Sequence, residues 1–415
     1  VVRKLGLVLA LTGILGGHAP SLSANELTLE QAVAQALAKH PSLNAQTQSV
    51  RAAQYQAEAL ALRPQWTVGG ELENVLGTGA VSGIHGAETT LRLSRAIEHG
   101  DKLAARQRVG AAEIALQSQG IGRLQVAIAA QAAERYIVVV AHQERLAILR
   151  RHLALAEETR ALLARWTEDG RSSEADGLQA QVALIDARLR VEDAEHELDS
   201  ARVTLAALWG DSDPGFDASG SLDTLPAVTT FAELEALIPA SVEQRAFAAE
   251  AGKLEAEREL AASTARPDVA VSVGVRRLEA IDDQALVFGV SMPLGSAPRS
   301  AIGVARVDAE LAALAARQQA AQWDARQQLY ALYQELEHAR HVVETHQRES
   351  LPAAEAAVAA SQRGFELGRF GFPTLNQAQR QLIDLRLATL EAQQRYHTLL
   401  VSIDRLTAAN AGAAR

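Results

Sequence analysis

Apolar positions recur along this chain with two different periods, and the switches between them divide it into elements. Leu29, Val33 and Leu37 fall three to four residues apart, which predicts an amphipathic helix over Thr28–Lys39. Pro41 breaks it. A second helix runs from about Ser42 to Leu62 and stops at Arg63-Pro64, because proline disfavours helix at the residue before it. Trp66, Val68, Gly70 and Leu72 then alternate with other positions, as do Leu91 and Leu93 beyond the glycine-rich stretch Gly77–Gly86. Two strands and a loop predict a hairpin. From Asp101 the helical period returns, and Ile114, Ile121, Leu124, Ile128, Val139, Leu146, Leu149 and Leu153 recur at coiled-coil steps. A helix from there to about residue 168 extends about 100 Å.

The turn Glu168-Asp169-Gly170-Arg171-Ser172-Ser173 follows, with Ser173 and Asp176 spaced as a capping box. The returning helix carries Leu178, Val182, Ile185 and Leu189 on one face and ends near Trp209-Gly210. Asp, Gly, Ser and Pro then cluster over residues 211–230, which reads as a linker. The second half replays the first. A helix over about Phe231–Ala265 stops at Arg266-Pro267, and Val269, Val271, Val273 and Val275 alternate as a strand. Leu286, Phe288, Val290 and Met292 alternate as another, which Pro293 closes. A second long helix starts near Arg299 and runs to Gly368-Arg369-Phe370-Gly371, and a last helix spans Pro373 to about Thr407. Gly170-Arg171 and Gly368-Arg369 are each followed nine residues after the glycine by Gln-Ala-Gln, at Gln179 and Gln377. A turn used once per half marks an internal repeat.

Composition narrows the class. Aromatics make up only 4% of the 415 residues, as expected of long helices and coiled coils rather than of compact globules. A net charge of -10 argues against nucleic-acid binding. There is no cysteine, hence neither a disulfide framework nor a thiolate metal site. Arg3 and Lys4, the apolar run Leu5–Gly17 and the small residues up to Ala24 form the pattern of a secretory signal peptide over residues 1–24. No later segment approaches 18 uninterrupted apolar residues, so an integral membrane role requires β-strands closed into a barrel. Four strands are too few to close one, and each has an apolar face opposite a small or polar one. Further copies of the chain would have to complete the wall.

The doubled plan, the two Gly-Arg turns and the strand ending Ser291-Met292-Pro293-Leu294-Gly295 resemble the TolC family of outer-membrane efflux proteins. The stretch Ser94-Arg95-Ala96-Ile97-Glu98-His99-Gly100-Asp101-Lys102 is similar to the Ser-Gln-x-Ile-Glu-x-Gly-Gly-Lys of its heavy-metal (cobalt-zinc-cadmium) branch, from which Arg95 and Asp101 depart. The resemblance implies a mainly α fold with a small β part. It implies two repeats, over residues 25–210 and 231–408, with a tail at 409–415, whose helices form long antiparallel coiled coils. It further implies a homotrimer whose 12-stranded β-barrel, set in outer-membrane lipid, continues as an α-helical barrel in the periplasm. The partners implied are a periplasmic adaptor (membrane fusion) protein and, through it, an inner-membrane pump of the RND type. The duct would pass divalent heavy-metal cations, needs no cofactor and has no catalytic residues. Drugs or secreted polypeptides are the alternative cargo, and a soluble periplasmic coiled-coil scaffold is the alternative of another class.

The resemblance also assigns sites. The turn residues Gly170, Arg171, Ser172, Gly368, Arg369 and Phe370 would contact the adaptor. The periplasmic aperture would be lined by Asp176, Gln179, Thr374 and Gln377. Some members of the family carry carboxylate rings six and nine residues after the second glycine, and Thr374 and Gln377 stand there uncharged. Asp176 is the acid that remains beside the first turn. No metal site is expected; His338 and His341, one helical turn apart, are the nearest candidates, and a solvated helix face accounts for them as well. Gly77-Thr78-Gly79 leads into a strand rather than a helix, so it offers no anion-binding helix terminus.

Overall fold

A computed structural model describes residues 26–409. The signal-peptide expectation for residues 1–24 lies outside them, as does the end of the tail. Strand β1 (Glu26–Leu27) leads to α1 (Leu29–Lys39), which opens on a complete capping box between Thr28 and Gln31. Next come α2 (Pro41–Leu60), the strands β2 (Thr67–Glu73) and β3 (Glu88–Ile97), and α3 (Lys102–Glu168). Helix α4 (Glu174–Ala206), β4 (Asp217–Ala218), α5 (Phe231–Glu235) and α6 (Val242–Ser263) follow. The chain ends with β5 (Val269–Leu278), β6 (Asp283–Ser291), α7 (Ser296–Thr345), α8 (Leu351–Glu366) and α9 (Phe372–Thr407).

The described chain forms two compact units. The first runs to Asn44 and adds Gly122–Val242 and everything from Gln322 on; the second is Ala45–Ile121 with Glu243–Ala321. The first is helical, with one core of Ile128, Tyr136, Val139 and Leu149 from α3, Leu198 and Leu205 from α4, and Ile383, Leu390 and Val401 from α9. A second core joins Leu329 and Leu336 of α7 to Tyr396 and Ile403 of α9. By length and composition α3 alone among the described helices is apolar enough to cross a membrane, but 56% of that stretch is buried. Sheet β2-β3-β5-β6 belongs to the second unit and is antiparallel throughout.

Several elements depart from the periodicity. The expected helix over Phe231–Ala265 is broken into α5, a 3-10 turn at Ile238–Ala240 and α6. Pro239 is the cause, since it cannot donate a helical hydrogen bond. The second long helix starts at Ser296 and is interrupted by a π-helical turn at His346–Ser350, just before Pro352. The wider turn relieves the clash of the proline ring with the preceding backbone. Helix α3 has no such break. The segment read as a linker is strapped to the helices: β4 pairs in parallel with β1, Gln143 both accepts from Ala218 N at 2.7 Å and donates to its carbonyl at 3.1 Å, and Leu222 is buried.

His397 of α9 lies under this strap, its Nε2–H donating to the Leu222 carbonyl at 3.2 Å. Burial lowers its pKa, and burial also lowers those of His142 and His152. The neutral form is therefore the folded one. The unfolded chain binds more protons, so stability is full above the ordinary histidine pKa of about 6.5 and is lost as pH falls from there through the lowered values. Thermal melting between pH 8 and pH 5 should show a falling midpoint, less steep in His397→Gln.

Candidate functional site

Two places carry chemistry, one in each unit. In the second unit the strand register puts whole rows of like residues side by side. Val68, Leu93, Val273 and Phe288 form one row across all four strands, and Gly70, Leu91, Val275 and Leu286 the next. These side chains are exposed, with Phe288 at 74%. The opposite face is small and charged: Thr67, Ser94, Ser272 and Gly289 share one row, and Glu71, Thr90, Arg276 and Ala285 another. There Arg276 bonds to Glu88 at 2.7 Å, to Glu73 at 3.0 Å and to the Thr90 hydroxyl at 3.0 Å, joining three strands. Arg92 pairs with Glu71 at 3.3 Å. One face suits lipid and the other suits water, with Trp66 stacked under Arg95 at 5.2 Å where the sheet begins. The outer edges of β2 and β6 have no strand partner among the described residues.

The stretch that suggested the heavy-metal branch is the joint between β3 and α3. Glu98 holds the Arg106 guanidinium, which also donates to the Leu60 carbonyl at 2.9 Å. Lys102 pairs with Asp268 at 2.6 Å. Gly100 is left-handed (φ 82°), and a Cβ there would sit 3.0 Å from the Ser263 carbonyl. Asp101 is left-handed too, at φ 58°, a conformation that glycine takes freely and Asp meets under mild strain. Asp101→Gly is expected to raise stability by up to about 1 kcal/mol and Asp101→Val to lower it by about 1–2 kcal/mol, measured as shifts in denaturation midpoint.

In the first unit both Gly-Arg turns are Schellman closures with the same bonds. Arg171 N donates to Trp166 O at 2.7 Å and Gly170 N to Thr167 O; Arg369 N donates to Gly364 O at 2.8 Å and Gly368 N to Phe365 O. Gly170 and Gly368 supply the left-handed residue, at φ 71° and 68°. The turns face one cleft of about 740 Å³, lined among others by Trp166, Arg171, Ser172, Asp176, Arg369 and Phe370. Trp166 joins them: its ring lies 5.0 Å from Phe365 and carries the Arg171 guanidinium at 4.7 Å. Below it Leu163, Ala180, Phe365, Phe372 and Leu375 form a small core.

Of the expected contact residues, Gly170, Arg171, Gly368, Arg369 and Phe370 are exposed at this cleft and Ser172 is half-buried. Of the expected aperture residues, Gln179, Thr374 and Gln377 are exposed. Asp176 is half-buried and serves its own helix, accepting from Ser173 Oγ at 2.8 Å while its amide donates to that hydroxyl. His338 and His341 sit exposed on α7, and among the described residues no three His, Cys, Asp or Glu are grouped to hold a metal ion. Sequence reasoning missed Trp166 and Gly364. A Cβ on Gly364 would lie 2.2 Å from the Phe370 ring, so the glycine makes room for it.

Comparison with known proteins finds a family and several relatives to which the chain is similar. The signature described as "Outer membrane efflux protein" matches residues 32–211. Over those residues the chain is similar to that family. The efflux-protein signature covers the first of the two expected repeats. The cobalt-zinc-cadmium resistance protein CzcC of Cupriavidus metallidurans is 27% identical over 319 residues, covering 77% of this chain and 76% of that one. The nickel and cobalt resistance protein CnrC of the same organism is 31% identical over 276 residues, 65% of each chain. Among solved structures, CusC superposes with a TM-score of 0.75 at 14% identity, covering 91% of both chains, and so shares the fold of this chain. The family is one of efflux proteins rather than enzymes.

Proposed function

We propose that the chain is the outer-membrane exit duct of a tripartite efflux system for divalent heavy-metal cations. The observation that carries the membrane reading is the sheet: two unbroken apolar rows on one face, an ion-paired face behind them, and two edges without strand partners among the described residues. A four-stranded wall of this kind must be closed by further copies, because an open edge in hydrocarbon leaves backbone groups unsatisfied. Three copies close a 12-stranded barrel, the two repeats supplying one hairpin each. The turns around the Trp166 cleft meet the periplasmic adaptor, which couples the duct to an RND-type pump. Asp176, Gln179, Thr374 and Gln377 line the aperture.

Similarity to cobalt, zinc, cadmium and nickel resistance proteins supports the cargo. In this reading pump and adaptor, not the duct, supply energy and selection. Deleting the gene in a strain without other ducts should lower tolerance of cobalt, zinc and cadmium. Unchanged metal tolerance with new sensitivity to dyes or detergents would reassign the cargo, and recovery of the chain as a soluble monomer would remove the channel reading altogether.

A further inference from the structure

Next to the two apolar rows of the sheet, the register places a charge on the same face. Arg95 lies opposite Val271, which lies opposite Val290, and one row further towards the helices Ile97 lies opposite Val269. Side chains two apart along a strand share a face, so Arg95 stands with Leu93 and Ile97 on the apolar side. Trp66 and Ile97, its neighbours there, are 57% and 47% exposed. A charge among lipid-facing side chains is costly unless its long stem carries the head to the membrane border. Arg95 is bent that way. Its Nε–H donates to the Pro64 carbonyl at 2.9 Å, outside the start of β2, and its guanidinium lies over the Trp66 ring.

The charge is not answered within the chain. Among the described residues no carboxylate pairs with Arg95, nor with Arg63 and Arg266, exposed arginines that stand just before β2 and β5. The other arginines of the sheet are neutralised: Arg276 and Arg277 are each held by two carboxylates and Arg92 by one. Unanswered positive charge therefore gathers at the helix end of the apolar face, whereas the hairpin end carries exposed Glu279, Asp282 and Asp283. An indole is at home where one end of it is apolar and the other wet, and unpaired guanidiniums beside it attract anionic headgroups. A lipid satisfies both demands at once, its chains on the apolar rows and its phosphate on the arginines.

We propose that Arg95, seated on Trp66, binds the phosphate of an anionic phospholipid in the leaflet nearer the helices, with Arg63 and Arg266 adding to the attraction. The contact fixes how deep the sheet sits in the membrane. It rests on the reading of the sheet as part of an outer-membrane barrel.

The full-length protein would be purified from membranes in mild detergent and observed by native mass spectrometry with added phosphatidylglycerol or phosphatidylcholine of the same acyl chains. Phosphatidylglycerol is expected to be retained several-fold better. Arg95→Gln should weaken its binding about fivefold, and Arg95→Lys should keep most of it. Arg277→Gln, at the hairpin end, should leave it unchanged. If Arg95→Gln melts early, Arg63→Gln replaces it, since Arg63 makes no ion pair among the described residues, and the same loss is expected. Equal retention of the two lipids, or equal losses in Arg95→Gln and Arg277→Gln, overturns the proposal. Displacement of the lipid by inorganic phosphate, but not by sodium chloride of equal ionic strength, also overturns it, because the site would then take a free anion. Vesicle flotation of the same preparations separates the two readings. A protein that floats with vesicles but shows no preference for phosphatidylglycerol loses the headgroup site and keeps the barrel; one that stays soluble loses both.

Discussion

Leu286→Lys is expected to destabilise the membrane-inserted protein by about 2–4 kcal/mol per copy, the cost of a lysine on the lipid face near mid-bilayer. Leu286 stands in the row with Gly70, Leu91 and Val275, and 68% of it is open in the single chain. The neighbouring residue provides the control. Ala285 falls in the row of Glu71, Thr90 and Arg276, on the ion-paired face, so Ala285→Lys should change stability by well under about 1 kcal/mol. Denaturant titration of the protein in lipid vesicles, together with its yield in outer membranes, measures both. Equal effects of the two lysines would contradict the assignment of faces.

Trp166→Ala should loosen both turns together. Its ring touches Phe365 from one turn and carries Arg171 of the other, and it borders the core of Leu163, Phe372 and Leu375. Truncating a fully buried Trp costs about 3–5 kcal/mol, and Trp166 is half-buried, so about 2–3 kcal/mol is expected locally. Amides of Thr167–Ser173 and Phe365–Gly371 should then exchange about 30- to 150-fold faster, at 1.4 kcal/mol per tenfold. Trp166→Phe keeps a ring in place and should recover most of the protection. Acceleration confined to the first turn would show that Trp166 does not join the two.

The turns were legible because their chemistry is local. A left-handed residue after a helix selects glycine, and the sequence places Gly170 and Gly368 where the Schellman bonds need them. Ser173 was legible as a cap for the same reason. Trp166 was not, because its value comes from Phe365, which lies 199 residues away in sequence and 5.0 Å away in space. Its one signal was scarcity, as one of four tryptophans in the chain. The break at His346–Ser350 was signalled by Pro352, but apolar periodicity continues through a π-helical turn and hides it.

The sequence by itself determined the long helices and the four strands of the sheet, since the period of apolar residues follows from backbone geometry alone. Alternation around Val269–Val275 and Leu286–Phe288 marks β5 and β6, and the two faces of the sheet follow from it. Only the tertiary structure decided which apolar face a helix hides. On α4 the periodicity singles out the face of Leu178, Val182, Ile185 and Leu189, yet the alanine-rich side is the one packed in the core. Both faces have the same period, and small residues let helices approach closely within one chain, so periodicity cannot rank them. The choice belongs to the packing of α3 and α9 against α4, and it leaves the large residues exposed.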